Sequence, residues 1–256
     1  MKKTLYMKVS EEDVSKYVIF SGDPWRVDVI KDFLDNPKKV AFEREFHTYT
    51  GTYKGVKVTI SSTGIGAPSA AIAMEEMYEA GMEVALRMGT VMSLKEDVLG
   101  DYIVPLGSIR IESTSLTYAP INYPAVADLK LIDAINETLD KNNLKVDNGF
   151  NCSMDGFYTQ MKESRLSKER KTDIHEVFQS LKDLNVSGID MESSCMMVVG
   201  RLMNVKTATL TLVTVLENLK GVLKDKEREE KEKELCRMAL ESIYLFDKKE
   251  RERNND

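Results

Sequence analysis

The chain has 256 residues, 42% of them hydrophobic, which suits one large core better than two domains. A net charge of -6 argues against a nucleic-acid partner, which would require a basic stripe, but it allows a small anion held by a few arginines. No apolar run is long enough to span a membrane, and the opening residues MKKTLYMKVSEED lack the apolar stretch of a signal peptide. We therefore expect one cytoplasmic domain over residues 1–256 with no membrane partner.

The cysteines give a second indication of the compartment. Cys152, Cys195 and Cys236 are far apart and odd in number. They form neither a metal-ligand pair nor a disulfide framework, and such a set is typical of a reducing compartment.

The first quarter of the chain predicts a strand, a helix and three further strands. Residues 17–20 (YVIF) are typical of a short buried strand. Asp23 suits a helix N-cap and Pro24 the first helical position, so a helix is expected to follow, through residues 27–34. The runs KVAFEREF, TYTGTYKG and VKVTISST predict three strands, with turns at Gly51 and Gly55.

The rest of the chain alternates helices with strands. Residues 64–81 predict a glycine turn and an alanine-rich helix that stops at Gly81. Later strands are predicted in VALRM, DYIVPLGSIRIES, KVDNGFNCSM and VKTATLTLVTVL, and later helices in YPAVADLKLIDAINETLDK, from Asp190 to about Leu202, and from Lys224 onward. In this charged C-terminal segment, residues 224–256, we expect the EREEKEKE run to be solvated and the RERNND tail to be frayed.

The order of these elements predicts an α/β fold, a three-layer α/β/α sandwich with a mixed central sheet. In such folds ligands bind where strands end and helices begin. Candidate functional residues are therefore sought at those turns.

Three arginines are candidates for binding an anion. Arg26 follows a predicted strand-to-helix turn, Arg87 ends a predicted strand before Gly89-Thr90, and Arg44 belongs to the run EREF, which is expected to be part of a strand. The guanidinium fork suits phosphate oxygens, and N–H groups at a helix start add to an anion site. Taken alone, each arginine is also consistent with an ordinary surface or salt-bridged residue.

Two further stretches suit a nucleoside. Met191-Glu192 at a helix start offers a carboxylate to a ribose diol, although an acid there also complements the helix dipole. Phe157, Gln160 and Arg165 offer an aromatic face, an amide and a guanidinium to a flat heterocycle, or they belong to an ordinary loop.

Two other patterns are weaker. Gly64-Ile65-Gly66 resembles part of a dinucleotide fingerprint, but Ser69 replaces the third glycine, so a tight turn is the better interpretation. His47 and His175 have no serine or cysteine nucleophile motif nearby, so a histidine triad is not predicted.

Together the motifs resemble the nucleoside phosphorylase family, and within it the uridine phosphorylases, over nearly the whole chain up to about Lys224. The matching stretches are GDPWRV, EREFHTYTG, SSTGIGAPSAAIAMEEM, LRMGT, SLTYAPINYPAVAD, DGFYTQMKESR and DMESS. The resemblance implies a pentosyltransferase in which inorganic phosphate attacks C1′ of a pyrimidine nucleoside, uridine first. It implies no organic cofactor.

The resemblance also implies a role for each site residue, with Arg87 and Glu192 carrying the catalysis. Phosphate would be bound by Gly22, Arg26, Arg87 and Thr90, and by Arg44 from a neighbouring subunit. The ribose would be bound by Tyr6, Met191 and Glu192. The base would be bound by Phe157, Gln160 and Arg165. Glu45, Ile65 and Ser69 match a monovalent-cation site, which implies potassium. Sites shared in this way imply a homo-oligomer, either a dimer or a hexamer of dimers.

Three positions depart from the family pattern. Tyr6 stands in place of a histidine, Met92 replaces the last glycine of the phosphate loop, and Glu217 lies near a position that often holds an arginine. Purine phosphorylases usually protonate the base with an aspartate late in the chain, and its absence here favours a pyrimidine. The alternatives are a purine nucleoside phosphorylase, a hydrolytic nucleosidase, or a nucleoside-binding relative with weakened catalysis.

Overall fold

The computed structural model describes residues 2–255, and for Asn218, Asn254 and Asn255 it describes the backbone only. Its strands are β1 Tyr17–Ser21, β2 Asp35–Glu43, β3 Phe46–Tyr53, β4 Val56–Ser62, β5 Val84–Ser93, β6 Tyr102–Ile103, β7 Gly107–Arg110, β8 Val146–Asp147, β9 Phe150–Ser153, β10 Val186–Asp190 and β11 Lys206–Leu216. Its α-helices are α1 Pro24–Ile30, α2 Ala67–Glu79, α3 Thr114–Tyr118, α4 Leu129–Lys141, α5 Arg165–Glu169, α6 Ile174–Asp183, α7 Ser193–Leu202 and α8 Asp225–Asn255.

The described strands join one mixed sheet, as the alternation of elements predicts. Its main order is β2-β3-β4-β1-β5-β10-β9-β7, with β11 beside β5 and with β6 and β8 beyond β11. The centre is parallel, since β1 pairs in parallel with β4 and β5, and β11 pairs in parallel with β5. Strands β2, β3 and β4 pair antiparallel at one edge.

Helices cover both faces of this sheet, so the predicted three-layer sandwich is confirmed. The alternation in β1 shows how: Tyr17 and Ile19 pack in one core with α1, α4 and α8, while Val18 and Phe20 pack in another with α2 and α7. A strand that is buried on both faces has a continuous apolar sequence, such as YVIF in β1. Among the described residues, no helix is both long and apolar enough to cross a membrane.

The predicted start of the first helix is confirmed. The Asp23 carboxylate accepts the N–H of Trp25, and Pro24 occupies the first helical position. The predicted turn at Gly55 is also confirmed, because Lys54 and Gly55 both have positive φ between β3 and β4. The predicted turn at Gly51 is wrong. This residue lies within β3, where a side chain would meet Leu34, and so packing rather than a turn explains the glycine.

Three other expectations are corrected. The strand predicted as VALRM does not end at Met88 but runs to Ser93, because β11 and the end of β10 extend its pairing. The C-terminal tail is helical rather than frayed as far as Asn255, and Asp256 lies outside the described residues. The EREEKEKE run is only partly solvated: Glu232 and Glu234 are half-buried and contact Arg26 and Tyr102.

Candidate active site

A cleft of about 890 Å³ opens at the carboxyl ends of the central strands. Its walls come from the turns after β1 and β4, the second half of β5, and the ends of β10 and β11. This is the edge where an α/β sandwich is expected to bind its ligand. The described lining includes Met92 and eight of the predicted site residues: Gly22, Arg26, Ile65, Arg87, Thr90, Phe157, Met191 and Glu192.

Arg87 is the centre of a buried ion cluster in this cleft. Its Nε lies 3.2 Å from Oδ2 of Asp190, and its Nη2 lies 2.5 Å from Oε2 of Glu192. Burial lowers the pKa of Arg87, but the two carboxylates outweigh it and raise the pKa above its ordinary value. The guanidinium therefore stays charged, and two of its three nitrogens are committed to these carboxylates.

Asp190 is a cluster member that sequence reasoning missed. Besides Arg87, its carboxylate accepts the Ser153 hydroxyl at 2.6 Å, the Ser193 backbone N–H at 3.2 Å and the Ser193 hydroxyl. It therefore fixes the Arg87 side chain from the strand side and satisfies the first turn of α7. The signal for it was the pair of acids in the stretch DMESS, of which only the second was considered.

Glu192 lies between the arginine and the turn that precedes α2. Its Oε1 accepts the backbone N–H of Gly66 at 2.6 Å, while its Oε2 faces Arg87. Burial raises the pKa of Glu192 most, the charge of Arg87 opposes this, and the charge of Asp190 adds to it, so that the net shift is upward. An ionised carboxylate held in this way stabilises a positive charge that develops in the cleft.

Two other arginines reach the same cleft. Arg26, on α1, is buried and donates from Nη1 to the Ser21 hydroxyl at 3.1 Å. Arg228, on α8, also lines the cleft, although it belongs to the charged run that the sequence predicts to be solvated surface. Together with Thr90 and Gly22, they surround one end of the cleft with N–H and O–H donors.

Another part of the lining is aromatic and apolar. Phe157 and Tyr158 begin a π-helical turn over Phe157–Met161. Their rings pack edge to face, with the ring centroids 5.0 Å apart. Met161 and Val215 also contribute to the lining. These side chains offer stacking surfaces to a flat ring.

Gln160 and Arg165 are not brought into this lining. The Gln160 side-chain oxygen accepts the N–H of Gly156 at 2.7 Å, which turns the amide back on its own segment. Arg165 is 92% exposed at its side chain and pairs with Glu169. Their role in reading a base stays a prediction that requires both side chains to rotate.

Tyr6 and Arg44 also lie outside the cleft of their own chain, but they lie together. The guanidinium of Arg44 is 5.5 Å from the centre of the Tyr6 ring. The buried carboxylate of Glu76 accepts the N–H groups of Tyr6 and Met7, each at 2.7 Å, and so anchors the N-terminal segment on α2.

Two of the positions assigned to a cation by the resemblance converge on Gly64. A Cβ at that glycine would lie 2.8 Å from Cγ of Glu45 and 3.1 Å from the Ser69 hydroxyl. The Ser69 hydroxyl donates to the carbonyl of Thr63, and Ile65 is exposed. Within the described residues, no group of three or more His, Cys, Asp or Glu side chains forms a site for a metal ion.

The three departures from the family pattern are not gathered at one place. Met92 is buried in β5 at negative φ, pairs with Ile189 and Val215, and lines the cleft. The stretch after Arg87 is thus a strand that tolerates a bulky residue, and the Met92 side chain narrows the pocket. Glu217 forms an ion pair with Lys182, and Tyr6 faces Arg44.

Comparison with known proteins agrees with this geometry. The family model described as "Phosphorylase superfamily" matches residues 16–244. A uridine phosphorylase of Thermococcus kodakarensis is 32% identical over 78% of this chain and 73% of its own length. A guanosine phosphorylase of Halorubrum lacusprofundi is 34% identical over 94% of this chain and 96% of its own. The crystal structure of uridine phosphorylase from Vibrio fischeri ES114 superposes with a TM-score of 0.84 at 32% identity, covering 94% of this chain and 97% of that one.

The sandwich and its cleft, in which arginines and carboxylates meet at the strand ends, suit an enzyme that transfers a group to an anion. The chain belongs to the phosphorylase superfamily. It is a pentosyltransferase.

Proposed function

We propose that the chain is a nucleoside phosphorylase that acts first on uridine, with inorganic phosphate as co-substrate and no organic cofactor. The observation that supports this most directly is the single cleft in which Arg26 and Arg87 lie beside Met191-Glu192 and the aromatic pair Phe157 and Tyr158. Two relatives with closely matching chains are named uridine phosphorylase. The cleft therefore has donors for an anion, an acceptor for a ribose and a face for a base.

In this reaction a phosphate oxygen forms a bond to C1′ of the ribose while the C1′–N bond breaks, and the base leaves with the bonding electron pair. Arg26, Arg87 and Thr90 hold the phosphate by charge-assisted hydrogen bonds. Glu192 accepts from the ribose hydroxyls, and its negative charge stabilises the positive charge that develops on the sugar. Arg87 links the phosphate-binding and ribose-binding parts of the proposed site, since it contacts Glu192 and faces the anion.

The base end of the cleft favours a pyrimidine. Of the acids in the described lining, Asp190 and Glu192 are paired with Arg87, and Asp23 caps α1. The described lining holds no further carboxylate that could protonate a leaving purine. A purine substrate is the second candidate, because the guanosine phosphorylase relative covers nearly the whole chain.

The decisive test is a panel of nucleosides incubated with the purified protein, with and without phosphate, followed by chromatographic separation of the bases. We expect uracil to be released from uridine only when phosphate is present. Base release without phosphate would identify a nucleosidase. Guanine release in preference to uracil would support the purine alternative, and tight uridine binding without turnover would identify a binding protein.

We also propose that the active unit is a homo-oligomer, a dimer or a hexamer of dimers, in which Tyr6 and Arg44 complete a neighbour's site. Both side chains are exposed and lie outside the cleft of their own chain, and the buried Glu76 anchors the backbone at Tyr6. An exposed pair of this kind suits a site made from two subunits.

Subunit mixing tests that arrangement. Arg44→Ala and Glu192→Gln are each expected to lack activity when expressed alone. Co-expression is expected to restore about a quarter of wild-type activity, since half of the dimers are mixed and one of their two sites is intact. Activity of the co-expressed pair no higher than that of either variant alone would place Arg44 in its own subunit's site.

A monovalent cation, potassium, is proposed at the same subunit contact. The side-chain carbons of Glu45 and the hydroxyl of Ser69 lie beside Gly64, with Ile65 next in the chain. The two side chains would supply a carboxylate and a hydroxyl as hard oxygen donors. The three free, buried cysteines are compatible with the cytoplasmic location that we propose for the enzyme.

A further inference from the structure

Glu232 lies behind the arginine end of the cleft without lining it. It belongs to the second turn of α8, and its side chain is 19% exposed. One carboxylate oxygen, Oε1, lies 3.4 Å from Nη2 of Arg26 and 2.9 Å from Nε of Arg228. The same oxygen therefore joins two guanidinium groups that both face the cleft.

For Arg26 this contact is the main source of compensating charge. Its other described partner is the neutral Ser21 hydroxyl, and its Nε is buried without a hydrogen-bond partner among the described residues. A buried guanidinium with so few partners gains strongly from any anion that reaches it. Glu232 supplies that anion from within the chain.

We propose that Glu232 sets the phosphate affinity of the site by competing with phosphate for Arg26 and Arg228. This inference rests on the proposed function, because it takes phosphate as the ligand of these arginines. A phosphate dianion entering the cleft has to share both guanidinium groups with the Glu232 carboxylate. The negative charge of that carboxylate also repels the phosphate. Glu232 thus controls phosphate affinity through the two arginines and does not touch the nucleoside.

The test is a calorimetric titration of the full-length protein with inorganic phosphate in the absence of nucleoside. We expect Glu232→Gln to lower the phosphate Kd by about fivefold or more, and the difference to shrink in high salt. The control is Glu230→Gln, an identical charge change at an exposed position two residues away, which should leave the Kd within about 1.5-fold of wild type.

Steady-state kinetics provide a second measurement. The phosphate KM is expected to fall in Glu232→Gln while the uridine KM is unchanged. If Glu232 only held α8 in place, the variant would have a raised phosphate KM and a lower melting temperature, and that result would overturn the proposal. An equal tightening in Glu230→Gln would also overturn it. If wild-type protein binds no phosphate, the proposed function fails, and the role of Glu232 fails with it.

Discussion

Replacing Arg87 by lysine is expected to reduce phosphate-dependent kcat/KM by about two to three orders of magnitude while the protein still folds. Lysine keeps a positive charge between Asp190 and Glu192. It lacks the planar guanidinium group, whose separate nitrogens contact both carboxylates and also face the cleft. Steady-state kinetics with varied phosphate, together with differential scanning calorimetry, measure the two effects.

Arg87→Ala should differ from the lysine variant in stability. It leaves Asp190 and Glu192 buried without their cation, at a cost of about 3–5 kcal/mol, which is a large share of the stability of a typical domain. Arg201→Lys, at an exposed position on α7, is the matched control and should leave both measurements unchanged. Normal phosphate dependence and normal stability in Arg87→Lys would remove Arg87 from the proposed site.

Glu192→Gln is expected to lower kcat by about two to three orders of magnitude, because an amide of the same shape cannot offset the charge that develops on the ribose. Stability should change little, since Arg87 keeps its contact with Asp190. Circular dichroism melting and single-turnover kinetics separate the two quantities. A variant with wild-type kcat would show that the carboxylate has no electrostatic role.

The pH profile gives an independent check on Glu192. Its pKa is raised above the ordinary value of 4.5, mainly by burial. Because the ionised form is the active one, activity should be lost as the pH falls through this raised pKa, and therefore at a higher pH than an ordinary glutamate would give. The ionisation of phosphate itself is common to all variants. An acid limb that survives in Glu192→Gln therefore belongs to phosphate and not to this residue.

Much of the fold could be predicted because the strands and helices carry local sequence signals. The apolar run in β1 and the Asp23-Pro24 helix start are local signals, and both elements formed as expected. The end of β5 could not be predicted locally. Gly89-Thr90 is typical of a turn, but pairing with β11, distant in sequence, keeps it extended.

The site shows the same division between local and distant information. Residues at strand ends, such as Arg26, Arg87 and Glu192, converge because the topology brings those ends together. Arg228 and Glu232 could not be found in this way. Their helix carries so many charges that nothing in the sequence distinguishes Arg228 and Glu232, which meet at the arginine end of the cleft, from the charges that face water.

The continuous strand β5 has a consequence for the thermodynamics of binding. Arg87, Thr90 and Met92 lie on a backbone that is already paired with β1, β10 and β11, so no loop has to be ordered when an anion arrives. The conformational entropy of the proposed phosphate-binding segment was lost when the protein folded. We therefore expect charge and desolvation to decide affinity at this site, where the proposed anion-binding residues of β5 also belong to the strand that holds the sheet together.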